Sequence, residues 1–220
     1  MNEKRAILGL KVVLWICALT PAAWLGAAFY FDAYAANPVA KVSLGANPIE
    51  KLTHVTGMTT LVLLLITLSV TPVRRLTGWN RVIKLRRPLG LFAFFYAFLH
   101  FSIWSGLDQT FVWAWMIEDV IERPYITVGF AGFIILIPLA ITSTTGWIRR
   151  LGTRWATLHH GVYLTATLGV IHFYWLVKAD VRLPLFLGAC LALLLGWRVV
   201  FSIRKRRLVS PRKDTAPATP

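Results

Sequence analysis

Six unbroken apolar runs, near 12–31, 53–73, 89–107, 125–147, 155–177 and 184–203, leave this chain few ways to fold. A helix that crosses a bilayer needs about 20 mostly apolar residues, and each run meets that length. In lipid a backbone must satisfy its own hydrogen bonds, which leaves helices or closed barrels, and a barrel strand would alternate polar with apolar residues. With 57% hydrophobic residues and a mean hydropathy of +0.63, a water-soluble enzyme and a disordered chain are both excluded. The expected fold is all-α, an integral membrane bundle of six transmembrane helices over residues 1–205. A disordered basic cytoplasmic tail follows over 206–220. The first run, preceded by Lys4, Arg5 and Lys11, is long enough to span and reads as an uncleaved first helix, not a secretory signal. No internal repeat points to a transporter of inverted halves.

A formal net charge of +15 raises the question of nucleic acid, and the placement of the charges answers it. Of the 24 Lys and Arg, 18 fall before span one, after spans two and four, or in the tail, and five on the opposite loops. Arg198 lies within the last span, from which it is expected to snorkel inward. Acidic residues show the reverse bias, with seven of nine on the opposite loops. Basic residues stay on the cytoplasmic side, so both termini are expected in the cytoplasm and no nucleic-acid partner is needed. The partner of this surface is membrane lipid. Cys17 and Cys190 lie in apolar runs near opposite ends of the chain and read as packing residues.

Ionisable or ligating residues at membrane depth are costly and usually have a purpose. His100 lies about 10 Å from the outer end of span three and His172 about 9 Å from that of span five, so the two share a depth. Two neutral imidazoles on facing helices are what a b-type haem requires on its iron. Ala93, Ala97 and Gly169 leave space beside them for a flat macrocycle, and Phe101, Trp104, Phe173 and Trp175 are candidate walls. The competing reading is a pair of interhelical hydrogen bonds through imidazole, worth about 1 kcal/mol or less. It explains neither the matched depth nor the small neighbours. His159 and His160 open span five on the other side. A step of 13 residues leaves His159 about 140° from the His172 face on an ideal helix. His54, at the outer mouth of span two, reads as interfacial.

The stretches NPIEKLTHVTG (47–57), TPVRR (71–75), RRPLGL (86–91), FLHF (98–101), RPYITVG (123–129), TSTTGWIRRLGTRWATLHHGVYL (142–164) and IHFYWLVK (171–178) resemble the MsrQ family, the haem-binding membrane subunits of bacterial periplasmic methionine sulfoxide reductase systems. More distantly the chain is similar to the ferric-reductase-like transmembrane domain shared with NADPH oxidases. The resemblance implies that His100 and His172 hold one haem b and that His159 stands at the position of a second, inner ligand. Arg86 occupies the place of that ligand's partner, so the resemblance leaves the count at one haem or two. It also implies FMN. No dinucleotide fingerprint or phosphate loop is present, and the basic residues Arg87, Arg149, Arg150 and Arg154 are the candidates for its phosphate, against their reading as topology signals.

The function implied is electron transfer in the bacterial inner (cytoplasmic) membrane, from the respiratory quinone pool to a periplasmic molybdopterin methionine sulfoxide reductase that repairs oxidised proteins. In that reading the chain is the electron-transfer subunit and not the catalytic one. The alternative is a ferric or cupric reductase of similar fold, acting on metal ions. The outer loop from Asp108 to Arg123, with Trp113, Trp115, Met116, Glu118, Asp119 and Glu122, offers either a docking surface or an aromatic belt at the membrane interface.

Overall fold

A computed structural model describes residues 3–34 and 44–209, and every regular element among them is helical. In chain order these are α1 (Glu3–Tyr34), α2 (Pro48–Thr77), a 3-10 turn (Asn80–Leu85) running into α3 (Arg86–Ile103), a π-turn (Trp104–Asp108), α4 (Trp113–Glu122), α5 (Pro124–Ile141), α6 (Thr145–Leu151), α7 (Thr153–His159), α8 (Gly161–Leu176) and α9 (Arg182–Val209). Five segments are long and apolar enough to cross a membrane: Arg5–Asp32, Pro48–Thr77, Asn80–Asp108, Pro124–Ile141 and Arg182–Arg204. The run expected as span five is broken at His160, whose carbonyl accepts from Tyr163 in a tight turn. The 16 residues of α8 beyond that turn measure about 24 Å. At the C-terminal end α9 continues to Val209, four residues into the stretch expected as tail, and 210–220 lie outside the described residues.

Local sequence explains the boundaries. Pro48 begins α2 at a position that needs no amide donor, and the Asn47 side chain accepts from Glu50 N at 3.2 Å. Gly78, at φ +69°, ends α2 in the left-handed conformation that glycine adopts without strain. Two pairs then organise the bundle: α2 packs along α3, and α5 along α8. The core where they meet contains Leu61, Leu64 and Leu68 from α2, Ala93, Tyr96 and Ala97 from α3, Leu136 and Leu139 from α5, and Ala166 and Phe173 from α8.

Two proline-containing turns inside the spans receive polar side chains from neighbouring helices. Pro72 has no N–H for the Leu68 carbonyl one turn earlier, and the Arg198 guanidinium donates to that carbonyl at 2.8 Å and to the Tyr163 hydroxyl at 2.8 Å. Arg198 therefore does not snorkel toward the interface; it reaches sideways and ties α9 to α2 and α8. Near Pro21 of α1, the Tyr96 hydroxyl inserts into the backbone ladder, accepting from Ala22 N at 3.0 Å and donating to Ala18 O at 2.6 Å.

Candidate functional site

His100 and His172 come together as their matched depth predicts. Their ring centroids are 6.1 Å apart with the planes nearly perpendicular, at 87°. That separation leaves room for one metal ion with an imidazole nitrogen about 2 Å away on either side.

Each ring is held in the same way by the helix behind it. His100 Nδ1 lies 2.9 Å from the carbonyl of Thr53 on α2, and His172 Nδ1 lies 2.6 Å from the carbonyl of Tyr125 on α5. A carbonyl only accepts, so both Nδ1 atoms carry the proton and each Nε2 keeps a free lone pair. Metal-binding imidazoles are oriented by this kind of second contact.

Four residues after each carbonyl stands a glycine, Gly57 after Thr53 and Gly129 after Tyr125. A helical side chain tilts back over the preceding turn and would cover that carbonyl. A methyl group on Gly57 would stand 2.9 Å from His100 Cε1, and one on Gly129 would stand 2.6 Å from His172 Nδ1. The glycines are therefore cradles that let an imidazole reach a helix carbonyl already inside its ladder. The donor set of two Nε2 lone pairs, fixed by two carbonyls over two glycines, fits a haem iron.

The walls differ in part from expectation. Phe101 stacks on Phe133 of α5 at 4.8 Å and approaches Phe130 at 6.1 Å, which closes the α3–α5 side. Phe173 is buried and closes the α2–α8 side. Gly169 does not leave a void, because Leu61 of α2 fills the place beside it, its Cδ1 3.4 Å from where a Cβ would be. Trp175 points outward, 51% exposed.

Asp119 is no exposed docking residue. It is buried, accepts from Trp104 Nε1 at 3.0 Å and Gln109 Nε2 at 3.2 Å, and pairs with Arg123 at 2.9 Å. The Tyr125 hydroxyl and this carboxylate hold the Arg123 guanidinium above its ordinary range. Trp104 lies one turn beyond His100, so Asp119 fastens α4 to the helix that carries the first imidazole.

At the other end of the bundle His159 is engaged differently. Its Nε2 lies 3.1 Å from the Thr142 hydroxyl, which itself donates to Pro138 O at 2.6 Å and so accepts from His159. Trp155 stacks on the ring at 4.1 Å and donates to Thr142 O at 3.0 Å. The cation facing His159 from α3 is Arg86, which cannot ligate iron. This donor set does not fit a second bis-imidazole haem. His160 stacks on Tyr163 at 5.7 Å. Arg87 and Arg154 are exposed, in the first turns of α3 and α7.

Residues 52–170 match the family described as ferric reductase like transmembrane component. A protein-methionine-sulfoxide reductase heme-binding subunit MsrQ from Xanthomonas axonopodis pv. citri (strain 306) is 45% identical over 98% of this chain and 97% of its own length. One of the same name from Bordetella pertussis (strain Tohama I) is 47% identical over 92% of this chain and 94% of its own. The chain belongs to the MsrQ family. No solved structure matches. Thr53, Gly57, Tyr125 and Gly129 went unread as site residues in the sequence. The signal was there, because THVTG and YITVG each set a glycine four residues after the carbonyl that receives a histidine.

Proposed function

We propose that this chain passes electrons from the quinone pool of a bacterial inner membrane to a periplasmic methionine sulfoxide reductase, through one haem b held by His100 and His172. The paired imidazoles, each with Nδ1 on a helix carbonyl and a glycine beneath, carry the reading. A haem ligated by imidazole on both sides offers substrate no open position and supplies one-electron transfer. The chain's own residues hold the ligands in register, and Phe101, Phe133 and Phe173 keep water from the sides.

In this reading the break at His160 is a kink, and α7 with α8 makes the sixth span, leaving both termini in the cytoplasm as the distribution of Lys and Arg requires. Asp119 sets α4 at the periplasmic end, where the molybdopterin catalytic subunit would receive electrons. The donor is the quinone pool. An apolar groove of about 320 Å³, lined by Leu14, Cys17, Met58, Val62, Ile66 and Leu89, supports entry from within the membrane, since Met58 directly follows the glycine under His100. FMN enters only as a ligand of the exposed Arg87 and Arg154, and loss of flavin fluorescence from purified protein in the double Ala variant tests it.

The experiment for the main reading is quinol reduction of the purified protein in lipid, followed at the haem absorbance. Reoxidation is then measured on adding the catalytic subunit with a methionine sulfoxide substrate. Rapid reoxidation only in the presence of that subunit is the expected result. Reduction of ferric or cupric ions in its absence, at comparable rate, would favour the metal-reductase alternative.

A further inference from the structure

Three histidines, not two, converge in the half of the bundle that holds the candidate haem site. On α2, Thr53 and Gly57 face α3 and the His100 ring. The adjoining face carries His54 and Leu61, seven residues apart and so two turns along one line. Leu61 meets α8 at Gly169, and His54 meets it one turn further on at Phe173, with ring centroids 6.0 Å apart and an interplanar angle of 65°. Phe173 is the residue after His172. The His54 imidazole thus stands at the seam between α2 and α8, next in sequence to Thr53, which holds His100, and against Phe173, which follows His172.

His54 differs from its two neighbours in what its nitrogens do. Those of His100 and His172 rest on carbonyls. Among the described residues neither ring nitrogen of His54 has a hydrogen-bond partner, and the side chain is exposed where Phe173 beneath it is buried. One side of the ring is packed against an apolar neighbour, and the residue is otherwise exposed at that seam.

A b-type haem brings two carboxylate arms that cannot be left unpaired in hydrocarbon. His54 is an exposed N–H donor without a partner among the described residues, at the same end of the spans as the candidate iron ligands. We propose that His54 donates a hydrogen bond to a haem carboxylate and so anchors the porphyrin from α2, without ligating the iron. This rests on the haem reading above.

The test uses full-length purified protein as wild type and as His54→Ala, His54→Phe and His54→Gln. The absorption spectrum is recorded, together with the rate at which haem passes to an excess of an apo-globin acceptor. All four proteins are expected to keep the low-spin, two-imidazole spectrum. Haem loss should be about 10- to 100-fold faster in His54→Ala, the usual size of an outer-contact effect. His54→Phe, which keeps the ring against Phe173 but not the donor, should lose haem as fast as His54→Ala. His54→Gln, which keeps an N–H donor, should return toward the wild-type rate. An unchanged rate in His54→Ala, or wild-type retention in His54→Phe, overturns the anchoring role. Loss of the low-spin spectrum in His54→Ala overturns it too, by making His54 a ligand. A colourless wild type would instead overturn the haem reading itself.

Discussion

In one half of the bundle, His100 and His172 rest their Nδ1 atoms on the carbonyls of Thr53 and Tyr125, over Gly57 and Gly129, and keep two Nε2 lone pairs free at a ring separation of 6.1 Å. In the other half His159 gives its Nε2 proton to Thr142, lies under Trp155 and faces Arg86. Both halves place histidine within an apolar span, so residue type alone does not separate them. What separates them is which nitrogen is used up by the protein. In the proposed function, engaging Nδ1 leaves Nε2 free to ligate, whereas engaging Nε2 makes the ring a strut.

The contrast can be broken most severely at the ligands. His100→Ala or His172→Ala should abolish the low-spin spectrum of the purified protein, while His159→Ala leaves it intact. Next in size are the cradles. Gly129→Ala and Gly57→Ala should each strain the site by about 1–3 kcal/mol through overpacking, which is about 5- to 150-fold in haem retention. Gly129→Ala should be the worse, because its methyl would come closer to the ring it supports. Haem content per chain after purification measures both.

In the arginine-rich half the expected effects fall on stability. Arg198→Met leaves the Leu68 carbonyl and the Tyr163 hydroxyl without their donor and should cost about 1–3 kcal/mol, seen as earlier thermal unfolding with the haem spectrum unaltered. Smallest is His159→Ala, which removes one neutral hydrogen bond and a ring stack and should cost about 1 kcal/mol in the same assay.

Much of this was legible in the sequence. Depth counted from the ends of spans three and five brings His100 and His172 together, because rise per residue is nearly constant in a helix. Four things were not legible. The carbonyl that holds each histidine is backbone, which the sequence reveals only through the glycine that uncovers it. The turn at His160 depends on local backbone choices inside a uniformly apolar run. Arg198 looks like a snorkelling residue until Pro72 is seen to orphan the Leu68 carbonyl on a different helix. Asp119 reads as one more acid on an outer loop, and only the fold of α4 brings Trp104, Gln109 and Arg123 around it. In each case the missing information is a tertiary contact far apart in sequence or a hydrogen bond to main chain.

The most direct test is the haem-to-protein ratio, by extracted haem and amino-acid analysis, in wild-type protein and His159→Ala purified from haem-replete cells. One haem per chain in both is the expected result. Two per chain in the wild type falling to one in the variant would show that His159 is a ligand and contradict the division between the two halves.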